Sequence, residues 1–186
     1  MKDLSNKKVA ILATNGFEES ELTQPKKALE EAGAKVDIVS EKSGKIKSWT
    51  DGNWGSEFTV DKTLDEVSQS DYNALMLPGG VINPDKLRLN KDAVNFVKSF
   101  FENHKPVAAI CHGPWLLAEA DVLKGRKVTS FSSIKTDLIN AGANWVDKEV
   151  VVDQGLVTSR SPEDLPAFNK KLVEEVSEGK HKDQLA

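Results

Sequence analysis

The one cysteine of this sequence, Cys111, stands in the stretch Ala109-Ile-Cys-His-Gly113, between a strand-like apolar run and a helix-like one. A nucleophile on a tight strand-to-helix turn needs small residues two positions away on each side, to relieve backbone crowding. Ala109 and Gly113 supply them. Pro114 suits a first helical turn, and a helix N-terminus stabilises a thiolate. The pattern therefore predicts a reactive thiol of low pKa. A lone cysteine is more often an inert buried side chain, but the elbow followed by His-Gly-Pro argues for catalysis. His112 carries an imidazole that titrates near neutral pH, and can act as general base or orient water. Against that stands its place next to Cys111, since adjacent residues on a helix do not face each other.

Two more groups could join that thiol. Gly79-Gly80 follows the apolar run Ala74–Leu77, where glycines can present free backbone N–H groups. With the amide of His112, that of Gly80 could form an oxyanion hole for a tetrahedral intermediate. The stretch "NGFEESELTQP" holds Glu18, Glu19 and Glu21. Such a cluster is usually a solvated helix start. A buried, protonated member could instead hydrogen-bond a thiolate, and residue type alone leaves open which of the three it is.

The elements that must bring these groups together alternate regularly. Val9–Thr14, Lys35–Val39, Ala74–Pro78 and Val107–Cys111 read as buried strands. Pro25 suits the first turn of a helix running to about Ala32, with Gly33 as its stop. Asn90 reads as the N-cap of a helix whose Ala93, Phe96, Val97, Phe100 and Phe101 form one buried stripe. "SSIKTDLINAGA" is a further helix with a glycine stop, and "EVVVDQGLVTS" a hairpin turning at Asp153–Gly155. Ser161-Pro162 reads as the cap and first turn of the last helix. Residues 48–63 are the least regular, expected as extended strands and turns beside the main sheet. The result is an α/β sandwich with a mostly parallel sheet, in which functional residues collect beyond the carboxyl ends of the strands. One domain is expected over residues 1–186, with its core at about 8–176 and a frayed polar tail at 177–186.

Composition narrows the function. A net charge of −4 argues against a nucleic-acid surface, and no apolar run approaches the ~20 residues that span a bilayer. The start "MKDLSNKKVAILAT" turns polar too soon for a signal peptide. One cysteine makes no internal disulfide and fits a reducing cytoplasm. His104, His112 and His181 are too scattered to read as a metal site by spacing, and no cofactor is expected.

Four stretches, "AICHGPWLLAEA", "LMLPGGVINPDKLRLN", "GFEESELTQP" and "LVTSRSPEDLPAF", together resemble the ThiJ/PfpI superfamily, and within it the PfpI-type intracellular cysteine peptidases (peptidase family C56) and protein deglycases, often called general stress proteins. The resemblance runs from about Lys8 to Val176. It implies a flavodoxin-like three-layer sandwich, similar to class I glutamine amidotransferases, with Cys111 as the nucleophile. It selects Glu21 as the buried carboxylate beside the thiol and His112 as the PfpI-type histidine. It implies that Asp85, where many relatives carry Glu, completes a triad from a neighbouring subunit, so that the working unit is a homodimer or larger. Trp115 stands where relatives often carry Gln. Three activities compete. The first is a deglycase or cofactor-free glyoxalase acting on small carbonyls or glycated proteins and peptides. The second is an intracellular peptidase, for which the sequence shows no groove. The third is a redox-responsive stress protein in which Glu21 holds an oxidised Cys111.

Overall fold

In the computed structural model, which describes residues 2–184, the apolar run Lys8–Leu12 is strand β1, followed by the two-residue β2 (Phe17–Glu18) and helix α1 (Glu19–Glu31). Next come β3 (Lys35–Ser40), β4 (Lys45–Thr50), β5 (Asn53–Thr59), β6 (Lys62–Thr63) and β7 (Ala74–Leu77). Helices α2 (Ile82–Leu87) and α3 (Lys91–Glu102) lead into β8 (Val107–Ile110) and α4 (Trp115–Glu119). The chain ends with β9 (Lys127–Val128), α5 (Lys135–Asn140), β10 (Asn144–Trp145), β11 (Val151–Asp153), β12 (Leu156–Ser159) and α6 (Leu165–Glu178).

The main sheet runs β11-β12-β8-β7-β1-β3-β6, parallel throughout except for the β11–β12 hairpin. Strand side chains alternate between faces, so both faces need cover. Val9 and Ile11 pack with Leu22, Leu29, Phe168 and Leu172 of α1 and α6. Ala10 and Leu12 pack with Phe96, Phe100, Leu116 and Leu117 of α3 and α4. Each fully buried Leu or Phe contributes roughly 1.5–3 kcal/mol. Because β7 and β8 are covered on both sides, they read as unbroken apolar runs rather than alternating ones, and β12 is likewise buried at every position although it ends in Thr158 and Ser159. The flavodoxin-like sandwich expected from the sequence is the fold observed.

The direction in which successive strands are added to the sheet reverses between β1 and β7. The chain builds outward from β1 through β3 on one side and from β7 through β8 and β12 on the other. The loops after β1 and β7 therefore part at the switch point, where such folds place their sites.

Local signals account for most boundaries. Asn90 caps α3, its Oδ1 accepting the amides of Asp92 at 2.9 Å and Ala93 at 3.3 Å. Gly33, at φ +99°, ends α1. Gln154 and Gly155, both at positive φ, turn the β11–β12 hairpin. Within 48–63, Asp51-Gly52 takes positive φ at both residues and closes a β4–β5 hairpin, joined by β2 into a small second sheet. Asp-Gly is the strongest short hairpin signal, and it lay unread in that segment.

Three expectations are corrected. The first concerns α1, which begins six residues before Pro25, so the proline sits inside the helix rather than in its first turn. The acidic residues Glu19 and Glu21 favour the helix N-terminus, and Leu22, Pro25 and Leu29 share its buried face. Ser161 makes no side-chain cap. A short 3₁₀ turn at Pro162–Asp164 precedes α6, and Arg160 donates to Asp164 at 2.8 and 2.9 Å instead. The tail is not frayed over residues 179–184. His181 N–H donates to the His104 carbonyl at 2.9 Å, and Gln184 is buried. Gly155 makes this possible, since a Cβ there would lie 2.7 Å from the His181 ring. Among the described residues, no helix is long and apolar enough to cross a membrane.

Candidate active site

Cys111 follows β8 directly and adopts φ +62°, a left-handed backbone that non-glycine residues rarely take. The elbow is held by hydrogen bonds on both sides. Cys111 N–H donates to the Ser159 carbonyl, Phe131 N–H to the Cys111 carbonyl, and Gly113 N–H to the Ile110 carbonyl, at 2.8–3.0 Å. The small residue two places after Cys111 is sterically required, because a Cβ on Gly113 would lie 2.7 Å from the Leu77 carbonyl oxygen. A strained backbone maintained by its surroundings is the expected setting of a nucleophile.

Of the three glutamates, burial selects Glu21, which is 0% exposed on α1. Its Oε2 accepts the Gly79 amide at 2.8 Å. The ideal Cβ position on Gly79 lies 2.5 Å from that oxygen and 2.7 Å from Cys111 Cβ. The absent side chain at Gly79 is thus what lets carboxyl and thiol stand together. Glu19 is committed elsewhere. Its carboxylate accepts Ser48 Oγ at 2.6 Å and both the amide and the hydroxyl of Ser56 at 3.1 Å, which ties α1 to the β4–β5 hairpin. Glu18 remains half-buried and accepts only the Ser20 hydroxyl at 3.3 Å.

Burial pushes the Glu21 carboxyl up to about 8, against the opposing pull of the Gly79 amide and the Cys111 side chain. The group is therefore neutral at pH 7 and carries a proton it can donate to sulfur. Burial, and then any charge on Glu21, push the thiol up as well, while hydrogen bonds from the His112 and Gly80 amides pull it down. This departs from the low-pKa thiol predicted from the elbow alone. The turn through residues 111–114 delays α4 to Trp115, and α4 spans only Trp115–Glu119, so little helix dipole acts on a sulfur that is also largely desolvated.

His112 does reach the thiol despite being its neighbour in sequence. A turn rather than a helix separates them, and Nδ1 lies 3.2 Å from Cys111 Sγ. Burial holds the imidazole below its ordinary pKa, so it is neutral and able to accept a proton. The ring is stacked on Phe131 at 4.9 Å and meets Trp115 edge-on at 5.0 Å. Its Nε2 lies 3.1 Å from Ser133 Oγ. Ser133 was not foreseen, since it stands 21 residues further along the chain with nothing local to mark it.

The amides of Gly80 and His112 both face the sulfur. Gly80 itself is fixed by crowding at φ +72°, where a Cβ would lie 2.6 Å from the Gly16 carbonyl oxygen and 2.7 Å from Glu18 N. Asn83, also unforeseen and wholly buried, braces this turn. It accepts the Thr14 amide at 2.8 Å and donates to the Pro78 and Gly79 carbonyls at 3.0 and 3.2 Å.

Asp85 lies within α2 and pairs with Arg88 at 3.0 Å. It does not meet His112 of its own chain, whose distal nitrogen faces Ser133. The Arg88 guanidinium stacks over Trp115 at 4.6 Å, and Trp115 Nε1 donates to Asp137 at 2.9 Å. Trp115 thus forms a wall against His112 from the α2 side.

A family profile for the DJ-1/PfpI family matches residues 7–175. The chain belongs to the DJ-1/PfpI family. It is 49% identical over 168 residues to general stress protein 18 of Bacillus subtilis, covering 90% of this chain and 96% of that one. It is 46% identical over 166 residues to deglycase PfpI of Pyrococcus furiosus, with 89% and 97% covered. Among solved structures, Drosophila melanogaster DJ-1beta superposes with a TM-score of 0.84 at 29% identity, over 92% of this chain and 90% of that one.

Proposed function

We propose that this chain is a cysteine-dependent hydrolase acting on glycated or aldehyde-bearing substrates, as a deglycase or cofactor-free glyoxalase. The observation that carries the reading is the meeting at one sulfur of a neutral buried carboxyl, an imidazole nitrogen and two backbone amides. The name deglycase on a relative 46% identical supports the same substrate class.

The groups divide the work as follows. His112 Nδ1 accepts the thiol proton as sulfur adds to the substrate carbonyl carbon. The carbonyl electron pair moves onto oxygen, and the Gly80 and His112 amides receive the developing charge. As the thiol proton leaves, the neutral Glu21 carboxyl, whose Oε1 has no hydrogen-bond partner among the described residues, can donate to the sulfur. His112 returns its proton to the substrate oxygen, and a proton shifts through an enediol from the carbon bearing sulfur to the neighbouring carbonyl carbon. Water then hydrolyses the resulting thioester, releasing a 2-hydroxy acid (and the amine of a glycated substrate) and the free thiol. Cys111 is 7% exposed, which suits a small carbonyl better than an extended peptide.

The proposed working unit is at least a homodimer. The Asp85 side chain is 53% exposed, open to a second copy, and a carboxylate arriving there would act on the partner's site across the Arg88–Trp115 wall. A single reduced thiol fits a cytoplasmic setting.

Steady-state turnover of methylglyoxal and of a glycated peptide, by the intact chain and by Cys111→Ala, tests the reading. Release that vanishes with the thiol supports it. Turnover that survives in Cys111→Ala, or cleavage of unmodified peptide alone, overturns it. Absence of turnover with Cys111 oxidised to a stable sulfinic acid would instead support a redox role, in which Glu21 donates to the sulfinate.

A further inference from the structure

Beyond the catalytic end of the sheet, three metal-binding side chains meet where α6 ends. Glu175 and Glu178 lie one turn apart on the same face of the helix. Gly179, at φ +85°, then turns the chain so that His181 comes back against Glu175, Nε2 lying 2.9 Å from Oε2. One ligand atom from each of the three lies within 4.8 Å of the others. Glu175 is 7% exposed. A carboxylate so buried requires a cation or hydrogen-bond donors. Yet its Oε2 and the His181 Nε2, both shielded from water, have no hydrogen-bond partner among the described residues. The two atoms lie at ion-pairing distance, 2.9 Å, without hydrogen-bond geometry, so a cation between them would take both in place of a proton on His181.

The geometry points to a divalent transition-metal site formed by Glu175, Glu178 and His181, with zinc the ion its donors suit best. One imidazole nitrogen and two carboxylate oxygens are ordinary zinc ligands, and tetrahedral bonds of ~2.0–2.1 Å place them about 3.4 Å apart. Rotation of the exposed Glu178 side chain closes most of the remaining gap. Two carboxylates also neutralise the dication. Counting histidines along the sequence missed this cluster, because two of its three ligands are carboxylates.

The role is structural. His104 precedes β8 and Gly155 precedes β12, so His181, bonded to the one and packed on the other, sits at the amino ends of those strands. Cys111 occupies the carboxyl end of β8. A metal at Glu175–His181 clamps residues 179–184 onto α6 and the β11–β12 turn without reaching the thiol.

The test is zinc titration of the full-length chain carrying Cys111→Ala, which removes the competing thiol, followed by calorimetry and thermal unfolding. Expected are one zinc per chain, a higher Tm with zinc, and weaker binding of manganese and of magnesium. Glu178→Gln and His181→Ala should each weaken zinc binding by about tenfold or more. Glu178 is exposed, so its variant keeps the fold and decides the matter should His181→Ala unfold. No stoichiometric zinc binding, or binding undiminished in Glu178→Gln, overturns the proposal.

Discussion

Replacing Glu21 by Gln in a chain that also carries Cys111→Ala isolates the proton on the buried carboxyl. The folded group titrates at about 8 and the unfolded group at 4.5. Below pH 4.5 both states carry the proton, and Glu21 adds no pH dependence. Between 4.5 and about 8 only the folded state carries it, so stability falls as pH rises, by about 1.4 kcal/mol per pH unit. Over the full rise of about 3.5 units the loss is on the order of 5 kcal/mol, reaching a plateau above pH 8. Removing the thiol also removes one influence that lowers the Glu21 pKa, so the window widens upward. Chemical denaturation at half-unit intervals from pH 4 to 9 reads this directly, as the difference in unfolding free energy between Cys111→Ala and Cys111→Ala/Glu21→Gln. A difference that is flat across pH 5–8 would refute the neutral carboxyl, and with it the donor assigned to sulfur. The same series with Cys111 restored then reports on the thiol. If Glu21 keeps its proton by taking the place of a thiol proton, the pair holds one proton in both states and the slope disappears. A slope retained at about 1.4 kcal/mol per pH unit means that the resting thiol is protonated.

Three further outcomes follow. Gly80→Ala should be far more costly than Gly44→Ala: both glycines have positive φ, worth roughly 1–2 kcal/mol against alanine, but only Gly80 adds backbone collisions at 2.6–2.7 Å, while nothing lies within 4 Å of a Cβ on Gly44. Equal shifts in denaturation midpoint would mean that the loop after β1 yields easily. Ser133→Ala removes the hydrogen-bond partner of His112 Nε2, worth about 1 kcal/mol, and should slow Cys111 alkylation several-fold and move its pH midpoint with thermal stability little changed; an unaltered pH profile would show that Phe131 and Trp115 alone orient the ring. Mixing Cys111→Ala with Asp85→Ala, after confirmed subunit exchange, should restore activity if Asp85 serves the partner's site, and no recovery rules that sharing out.

Much of this protein is legible along the chain because the deciding forces are local. Short unbroken apolar runs specify buried strands, Asn90 caps α3 through its own next turn, and the Ala109–Gly113 pattern marks the elbow by the crowding of adjacent residues. Those signals sufficed for a doubly wound sandwich with Cys111 at a strand end. Three acids within residues 18–21, of nearly equal character, by contrast acquire different fates only on folding. Glu19 is taken by serines of the β4–β5 hairpin, whereas Glu21 meets a glycine amide 58 residues away and loses its water. Resemblance to a family could name Glu21, but the protonation that makes it a donor comes from desolvation. Ser133 behind His112, Asn83 beneath the Gly79-Gly80 turn, and the tail folded over Gly155 have the same origin. The acidity of the thiol was misjudged from the sequence for that reason too. A dipole argument needs only the order of residues, whereas burial and neighbouring charge depend on which distant segments close over the sulfur.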